Sequence, residues 1–285
     1  MTSKSRIRSI PSLDVTVTSE LIQDFVKIRV TEAGAEGVVI GLSGGIDSAV
    51  VVTLAAKALG SKNVIPIFLQ NINSSEADIT DIKALCKKLK LELIQYNIQG
   101  VIDQFSESIS ETEDSSELAW MNIKPRLLQT YLYFHANKKN YLVCGAGNKS
   151  EIMIGYFTKY GDGGVDILPI GDVYKTQVYQ LAEYLKLPKS ILKKVPSAGL
   201  TKGQTDEAEI GMSYTELDSV LYGLEVFQTD EQITELTQIP LSTIKKVRSM
   251  IYKSEHKRRG PILFKLGVRT PSIDWRIPLI KPKHI

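Results

Sequence analysis

Cysteine is scarce in this sequence, and long apolar runs are missing. Cys86 and Cys144 are the only cysteines among 285 residues, so there is no second pair for a disulfide framework or a metal site. No apolar run reaches the roughly 20 residues that a membrane-spanning helix needs. The first residues, up to Pro11, lack the apolar core of a signal peptide. We therefore expect a cytoplasmic protein in a reducing compartment, with no membrane as its partner.

The sequence also has no large excess of charge of one sign, since it contains 35 Lys and Arg and 32 Asp and Glu. This near balance argues against nucleic acid as a partner. The charge is uneven, however, because the 41 residues from Lys245 onward hold twelve basic and two acidic side chains. A polyanionic ligand near the C-terminus and a solvated basic tail both agree with this excess. We predict a single domain over residues 1–285, with a core at about 21–261 and an irregular basic tail at 262–285.

The hydrophobic pattern alternates between short buried runs and amphipathic segments. It predicts helices and strands in the following order: helix 21–30, strand 37–42, helix 49–59, strand 64–69, helix 77–89, strand 91–96, helix 120–137 and strand 141–145, then helices 214–226, 230–236 and 241–254. Alternating strands and helices imply a parallel sheet that is covered on both faces. The predicted fold class is therefore α/β, a doubly wound and mostly parallel sheet with a helical C-terminal part.

A glycine-rich turn joins the first predicted strand to the next helix. It consists of Gly41, Leu42, Ser43, Gly44, Gly45, Ile46, Asp47 and Ser48. Glycines allow a tight turn, and the backbone amides together with the helix N-terminus form an anion site. The loop has no Walker lysine, so transfer of a terminal phosphate is not predicted. The turn indicates phosphate binding at the carboxyl end of a strand.

Two other interpretations of this turn remain. The letters also satisfy the G-x-S-x-G pattern of a hydrolase, in which Ser43 would be the nucleophile. Against this, the sequence has no His-Gly-Gly segment for an oxyanion hole, and His135 falls in the middle of a predicted helix. The other alternative is a glycine-rich connection without any ligand, for which Ser43, Asp47 and Ser48 would have no purpose.

The turn resembles the S-G-G-x-D-S loop of the ATP pyrophosphatase enzymes, and further segments resemble the NAD synthetase family in the family's order. These segments are residues 145–151, 155–162, 166–175, 196–200 with 203–207, and 256–258. Two positions depart from the family pattern, because Ala146 replaces a usual Thr and Thr201 a common aromatic residue. The resemblance implies that ATP, the co-substrate, is cleaved between its α- and β-phosphates. Segments 156–165 and 197–211 are predicted to be lid loops.

The resemblance also implies an activity: the carboxylate of deamido-NAD is adenylated by ATP and then amidated by ammonia, giving NAD, AMP and pyrophosphate. The alternative of the same chemistry is another adenylating enzyme, GMP synthetase-like or tRNA-modifying. The enzyme would be a homodimer that binds small molecules and no nucleic acid. Its implied catalytic residues are Asp47, Ser48 and Lys175.

The implied ligand contacts fall into three groups. Mg²⁺ would be held by Asp47 and Glu151, since hard oxygen ligands suit this ion. ATP would contact residues 41–48, Lys175 and Ser197. Deamido-NAD would be bound by Arg126, Lys159, Asp166, His256 and Lys257.

Overall fold

A parallel sheet organises the protein. The computed structural model describes residues 10–72, 74–109, 117–196 and 205–275. Its strands are β1 (Gly37–Gly41), β2 (Val64–Gln70), β3 (Ile94–Asn97) and β4 (Tyr141–Cys144), and their order in the sheet is β3-β2-β1-β4. Every pairing is parallel, and Val39 lies opposite Ile65 on one side and Val143 on the other. The predicted fold class, a doubly wound parallel sheet, is confirmed.

Helices connect the strands and form the C-terminal part. Within the described ranges they are α1 (Val15–Glu32), α2 (Ile46–Leu59), α3 (Glu76–Leu89), α4 (Gln99–Ile109), α5 (Glu117–Met121), α6 (Ile123–Lys139), α7 (Lys149–Ile154), α8 (Lys175–Tyr184), α9 (Lys189–Leu192), α10 (Asp206–Ile210), α11 (Tyr214–Glu225), α12 (Asp230–Thr237) and α13 (Leu241–Arg258). Side-chain caps explain why some begin earlier than predicted. Asp14 accepts a hydrogen bond from the Val17 amide, and Ser75 accepts one from the Asp78 amide.

The sequence prediction differs from the structure in several places, among them α8, α10 and β3. Helix α8 was not predicted, although its Val178, Leu181 and Ala182 are buried at helical spacing. Helix α10 falls in a segment that was predicted to be a loop. Strand β3 begins three residues late, because the Leu91 amide still donates to the Cys86 carbonyl and thereby closes the end of α3.

The side chains of β1 alternate between two apolar layers. Val38 and Ile40 join a layer that contains buried residues of α1, α2, α3 and α8. Val39 points the other way and packs with Leu132 of α6 and Val143 of β4. This alternation fixes the strand register, because a slip by one residue would exchange the two faces.

A third apolar cluster joins α7 to the C-terminal helices. Ile154 of α7 packs with buried residues of α11, α12 and α13, among them Leu217, Ile233 and Ile244. Residues 262–275 are irregular, and Phe264 there is 85% exposed. In the part of the chain that the structure describes, no helix has the length and apolar character needed to cross a membrane.

Candidate active site

The glycine-rich turn follows β1 directly and leads into α2. Gly44 has φ +76°, and a Cβ at this position would lie 3.1 Å from the Asp78 Cβ. A side chain would therefore be strained by conformation and by space. Gly45 is the N-cap of α2 and provides no side-chain hydrogen bond. The first amides of a helix have no partner within it, so those of α2 are available to an anion.

Two serine hydroxyls stabilise the turn from inside. The Ser43 and Ser48 Oγ atoms lie 3.2 Å apart, and Ser43 Oγ accepts a hydrogen bond from the Gly45 amide at 3.2 Å. Ser48 is buried, and its hydroxyl donates to the Gly45 carbonyl at 3.1 Å. The contacts of Ser48 are thus internal to the loop, which it holds in shape.

The histidines needed by the hydrolase alternative lie elsewhere. The His135 Nε2 atom is hydrogen-bonded to the Tyr96 hydroxyl at 2.8 Å, on the α6 side of the sheet. His256 is exposed near the end of α13. Neither of these described histidines contacts Ser43, so the structure offers no support for Ser43 as a histidine-activated nucleophile.

Asp47, Glu151 and Lys175 converge at the carboxyl edge of the sheet. Asp47 lies in the first turn of α2, which follows β1, and Glu151 lies in the first turn of α7, which follows β4. The Lys175 Nζ atom is 2.5 Å from Asp47 Oδ2 and 3.2 Å from Glu151 Oε1. Lys175 is only 2% exposed. The structure therefore brings these three predicted site residues into direct contact.

Asn148, to which the sequence analysis assigned no role, joins the two carboxylates. Its Nδ2 atom donates to Asp47 Oδ1 at 2.9 Å, and its Oδ1 atom accepts from the Glu151 amide at 3.0 Å. Asn148 is fully buried and forms a capping box with Glu151. The sequence did hold a signal, since Asn followed three residues later by Glu is a typical helix start.

The electrostatics of this cluster keep its lysine charged. Burial alone would lower the pKa of Lys175, but the carboxylates of Asp47 and Glu151 outweigh this and raise it above its ordinary value. Burial raises the pKa of Glu151 to about 7, with Lys175 acting to lower it and Asp47 to raise it further. One ammonium group thus neutralises much of the charge of two carboxyl groups.

A buried carboxylate supports this cluster from behind. Asp218 of α11 accepts hydrogen bonds from the Thr176 amide at 2.9 Å and the Thr176 hydroxyl at 2.8 Å. It also accepts one from the Ser150 hydroxyl, and Ser150 Oγ in turn accepts from the Lys175 amide at 2.9 Å. Asp218 was not identified from the sequence, because only the tertiary fold brings α11 to the start of α8.

A second group of predicted residues lies where α13 ends. The Lys257 Nζ atom donates to the Gly155 and Phe157 carbonyls, both at 2.7 Å. The Lys159 Nζ atom donates to the His256 carbonyl at 2.6 Å. Lys159, His256 and Lys257 are therefore brought together, with the segment after α7 held against α13.

The other predicted substrate residues have different surroundings. Arg126 is exposed in the first turn of α6. The carboxylate of Asp166 accepts hydrogen bonds from the Tyr133 hydroxyl at 2.8 Å and the Val143 amide at 2.7 Å, so it is bound to α6 and β4. Ser197 lies outside the described residues. Segment 156–165 is irregular, as predicted, whereas its lid role stays a prediction.

The carboxylate pair also fits a divalent cation shared with phosphates. Mg²⁺ is commonly held by one or two protein carboxylates, with substrate phosphates completing its shell. Asp47 and Glu151 provide two such groups, and both already form an ion pair with the same ammonium group, that of Lys175. Across the described residues, no group of three or more His, Cys, Asp or Glu side chains is arranged to hold a metal ion alone. The donor set therefore fits Mg²⁺ that arrives with a nucleotide.

Together, the parallel sheet, the glycine-rich turn (the phosphate loop, residues 41–48) and the cluster of Asp47, Glu151 and Lys175 define a nucleotide-dependent enzyme of the ATP pyrophosphatase type. Comparison with known proteins is specific. The sequence profile described as NAD synthase matches residues 18–261. The NH(3)-dependent NAD(+) synthetase of Methanosarcina mazei is 44% identical over 250 residues, covering 87% of this chain and 98% of that protein. The chain belongs to the NAD synthase family and is a ligase that forms a C–N bond.

Solved structures agree with this assignment. The NMN synthetase of Francisella tularensis superposes with a TM-score of 0.80 at 34% identity, covering 90% of this chain and 100% of that one. The NH3-dependent NAD synthetase of Campylobacter jejuni gives a TM-score of 0.76 at 33% identity, covering 89% and 100%. The similarity therefore extends over nearly the whole of each protein.

Proposed function

We propose that this chain amidates deamido-NAD with ammonia, cleaving ATP to AMP and pyrophosphate. The observation that carries the proposal is the contact of Asp47, Glu151 and Lys175 beside the glycine-rich loop. This arrangement provides loop amides for phosphates, a carboxylate pair for a cation and a permanently charged lysine. Membership of the NAD synthase family supports the choice of reaction.

In the first half-reaction the substrate carboxylate becomes an acyl adenylate. A carboxylate oxygen attacks the α-phosphorus of ATP, the bond from that phosphorus to the bridging oxygen breaks, and pyrophosphate leaves. The α2 amides and Lys175 stabilise the charge that collects on pyrophosphate. Asp47 and Glu151 would hold Mg²⁺, which when bound supplies further positive charge to the phosphates.

In the second half-reaction ammonia attacks the acyl carbon. The C–N bond forms, the bond from carbon to the AMP oxygen breaks, and a proton is released. Water would hydrolyse the same intermediate, so the site must exclude it. Segments 156–165 and 197–211 are our candidates for this closure.

Basic residues at the end of α13, in the segment after α7 and in α6 support the binding of the dinucleotide. We propose that Arg126, Lys159, His256 and Lys257 face its phosphates and carboxylate. Charged donors form strong hydrogen bonds with such groups. Asp166 would act as a polar acceptor at the same site. In the structure the Lys159 and Lys257 ammonium groups donate to backbone carbonyls, which a ligand could replace.

A second candidate substrate is the mononucleotide that corresponds to deamido-NAD. The similarity to the NMN synthetase of Francisella tularensis, at 34% identity over 90% of this chain, is the reason to consider it. Amidation of the acid form of NMN would use the same phosphate loop and the same cluster. The ratio of kcat/KM for the two acids decides between them.

The decisive experiment isolates the first half-reaction. With ammonia withheld, labelled pyrophosphate should exchange into ATP only when deamido-NAD is present, because the adenylate forms reversibly on its carboxylate. Parallel reactions contain the acid form of NMN, xanthosine monophosphate or RNA. Exchange that is driven equally well by one of these would contradict deamido-NAD as the preferred substrate.

We further propose that the enzyme is a homodimer in the cytoplasm and that RNA and DNA are not partners. The near balance of 35 basic and 32 acidic side chains supports the last point. Sedimentation at micromolar concentration measures the assembly state. A monomer at that concentration would contradict the dimer.

A further inference from the structure

We propose that Lys194 is an additional phosphate-binding residue, and that its ammonium group moves from Asp78 to the pyrophosphate part of the nucleotide. The proposal rests on the function proposed above and deepens it. Lys194 carries no assigned role in the sequence motifs of the site. Its position in the fold nevertheless places a cation at the phosphate loop.

The geometry puts the Lys194 ammonium group against the tip of the loop. Its Nζ atom donates to the Gly44 carbonyl at 3.2 Å and forms an ion pair with Asp78 of α3. Gly44 has a left-handed backbone, and a Cβ at this position would lie 3.1 Å from the Asp78 Cβ, so the turn packs closely against Asp78. Lys194 therefore reaches the turn from the segment that follows α9.

The charge of the site favours a further cation even with the proposed Mg²⁺ on Asp47 and Glu151, because the two carboxylates offset much of the positive charge of that ion and of Lys175. Lys175 is buried between two carboxyl groups, which together hold at least as much negative charge as its ammonium group neutralises. The loop amides are neutral dipoles, whereas pyrophosphate carries several negative charges. Electrostatic stabilisation of the leaving group calls for positive charge that is not already compensated.

Lys194 can supply this charge because it is held less firmly than Lys175. Its side chain is 33% exposed, compared with 3% for Lys175, and it pairs with a single carboxylate. Ion pairs near the surface contribute little to stability. The flexible lysine stem allows the ammonium group to exchange one anion for another over a short distance.

A purely structural role is the alternative, in which the Lys194–Asp78 ion pair only ties the segment after α9 to α3. The two roles predict opposite results for Asp78→Asn. If Lys194 binds pyrophosphate, removing the competing carboxylate leaves binding unchanged or makes it tighter. If the pair is structural, Asp78→Asn and Lys194→Met both disturb the glycine-rich turn and weaken pyrophosphate binding by a similar factor.

The test is calorimetric binding of inorganic pyrophosphate, with Mg²⁺ present, to the full chain. Lys194→Met should weaken binding about tenfold to a hundredfold, as the loss of a charge-assisted contact does. Lys194→Arg should restore most of the affinity. Lys193→Met, at the exposed neighbouring lysine, is the matched control and should bind like the wild type.

Wild-type affinity in Lys194→Met, or equal weakening in Asp78→Asn, would overturn the proposal, as would a wild-type chain that does not bind pyrophosphate. The assay needs no deamido-NAD. A failed exchange reaction with that substrate, alongside the expected pyrophosphate result, would therefore reject the proposed substrate and keep Lys194 at the phosphate site. Thermal melting of each variant reports whether it is folded.

Discussion

Asp47 combines two contacts at one carboxylate. One oxygen lies 2.5 Å from the Lys175 ammonium group, and the other accepts from Asn148 at 2.9 Å. By the proposal above, the metal ion would be a third partner of this carboxylate. A substitution at Asp47 that removes the charge and keeps the shape of the side chain therefore tests the electrostatic role directly.

Replacing Asp47 by Asn should keep the fold and lower kcat by about a hundredfold or more, because a preorganised electrostatic contact is lost. Asp24→Asn is a matched control, since Asp24 forms an exposed ion pair with Lys27 in α1. Steady-state rates over a Mg²⁺ series, with thermal melting, provide the measurement. Near wild-type activity of Asp47→Asn at limiting Mg²⁺ would show that the metal assignment is wrong.

Arg126 and Lys257 are both proposed to bind deamido-NAD, yet the structure predicts different costs for losing them. Each substitution by Ala should raise the KM for deamido-NAD roughly ten- to a hundredfold, since a charged contact contributes about 1.5–3 kcal/mol. Lys257 also donates to two carbonyls, so Lys257→Ala should lower the melting temperature as well. Arg126 is exposed, so Arg126→Ala should leave the melting temperature unchanged. An equal rise in the KM for ATP would place the residue at the nucleotide instead.

At the scale of elements, the start of α8 depends on α11. The Asp218 carboxylate accepts from the Thr176 amide and hydroxyl, and the Ser150 hydroxyl links it to the Lys175 amide. It occupies the position of an anion at a helix N-terminus, where the helix dipole favours negative charge. The C-terminal helices thus help to position Lys175 at the start of α8, a helix that packs in the same apolar layer as β1.

Asp218→Ala should destabilise the protein by about 3 kcal/mol, because the buried Ser150 hydroxyl and the Thr176 amide lose their partner. It should also lower kcat more than it changes the KM for ATP, since Lys175 remains present but is less well held. Ser219→Ala on the same helix is the control, because the Ser219 hydroxyl donates to the Thr215 carbonyl within its own helix. Unfolding in urea and steady-state rates measure the two effects. An unchanged kcat in folded Asp218→Ala would contradict this positioning role.

Some elements were predictable from the sequence, and others were not, for identifiable reasons. The runs that became β1, β2 and β4 are short, apolar and followed by glycine or a polar residue, so both their type and their place could be predicted. Helix α8 was missed because the segment before it is rich in glycine and resembles a long loop. Helix α10 is a single short turn, stabilised by Thr205, whose side chain accepts from the Ala208 amide.

At the scale of the whole molecule, the burial of both cysteines predicts which nitrogen source the enzyme can use. Ammonium salts should support turnover and glutamine should not, because Cys86 and Cys144 are buried and cannot attack a glutamine amide. The rate at fixed total ammonium should rise with pH through the neutral range, since neutral ammonia is the nucleophile. Product analysis in ammonia-free buffer provides the test. Amidation driven by glutamine there would contradict the prediction.

The site as a whole was predictable only in part. The resemblance to the NAD synthetase family identified Asp47, Glu151 and Lys175, and the fold places these three in contact. Lys194 and Asp218 could not be identified, because each acts across a distance in sequence that no local pattern encodes. Contacts of this kind depend on how helices pack on the sheet, which is decided by the whole core rather than by neighbouring residues.

Burial of both thiols has a practical consequence for studying this enzyme. Burial raises the pKa of Cys86 to about 11 and that of Cys144 further still, and thiolates are the species that react with alkylating reagents. The folded chain should therefore remain unlabelled by a maleimide dye while Lys193→Cys, exposed beside Lys194, is labelled quickly. Rapid labelling of the unaltered chain would contradict this. A single dye at that position could then report, by its fluorescence, when nucleotide arrives at the phosphate loop and when pyrophosphate leaves.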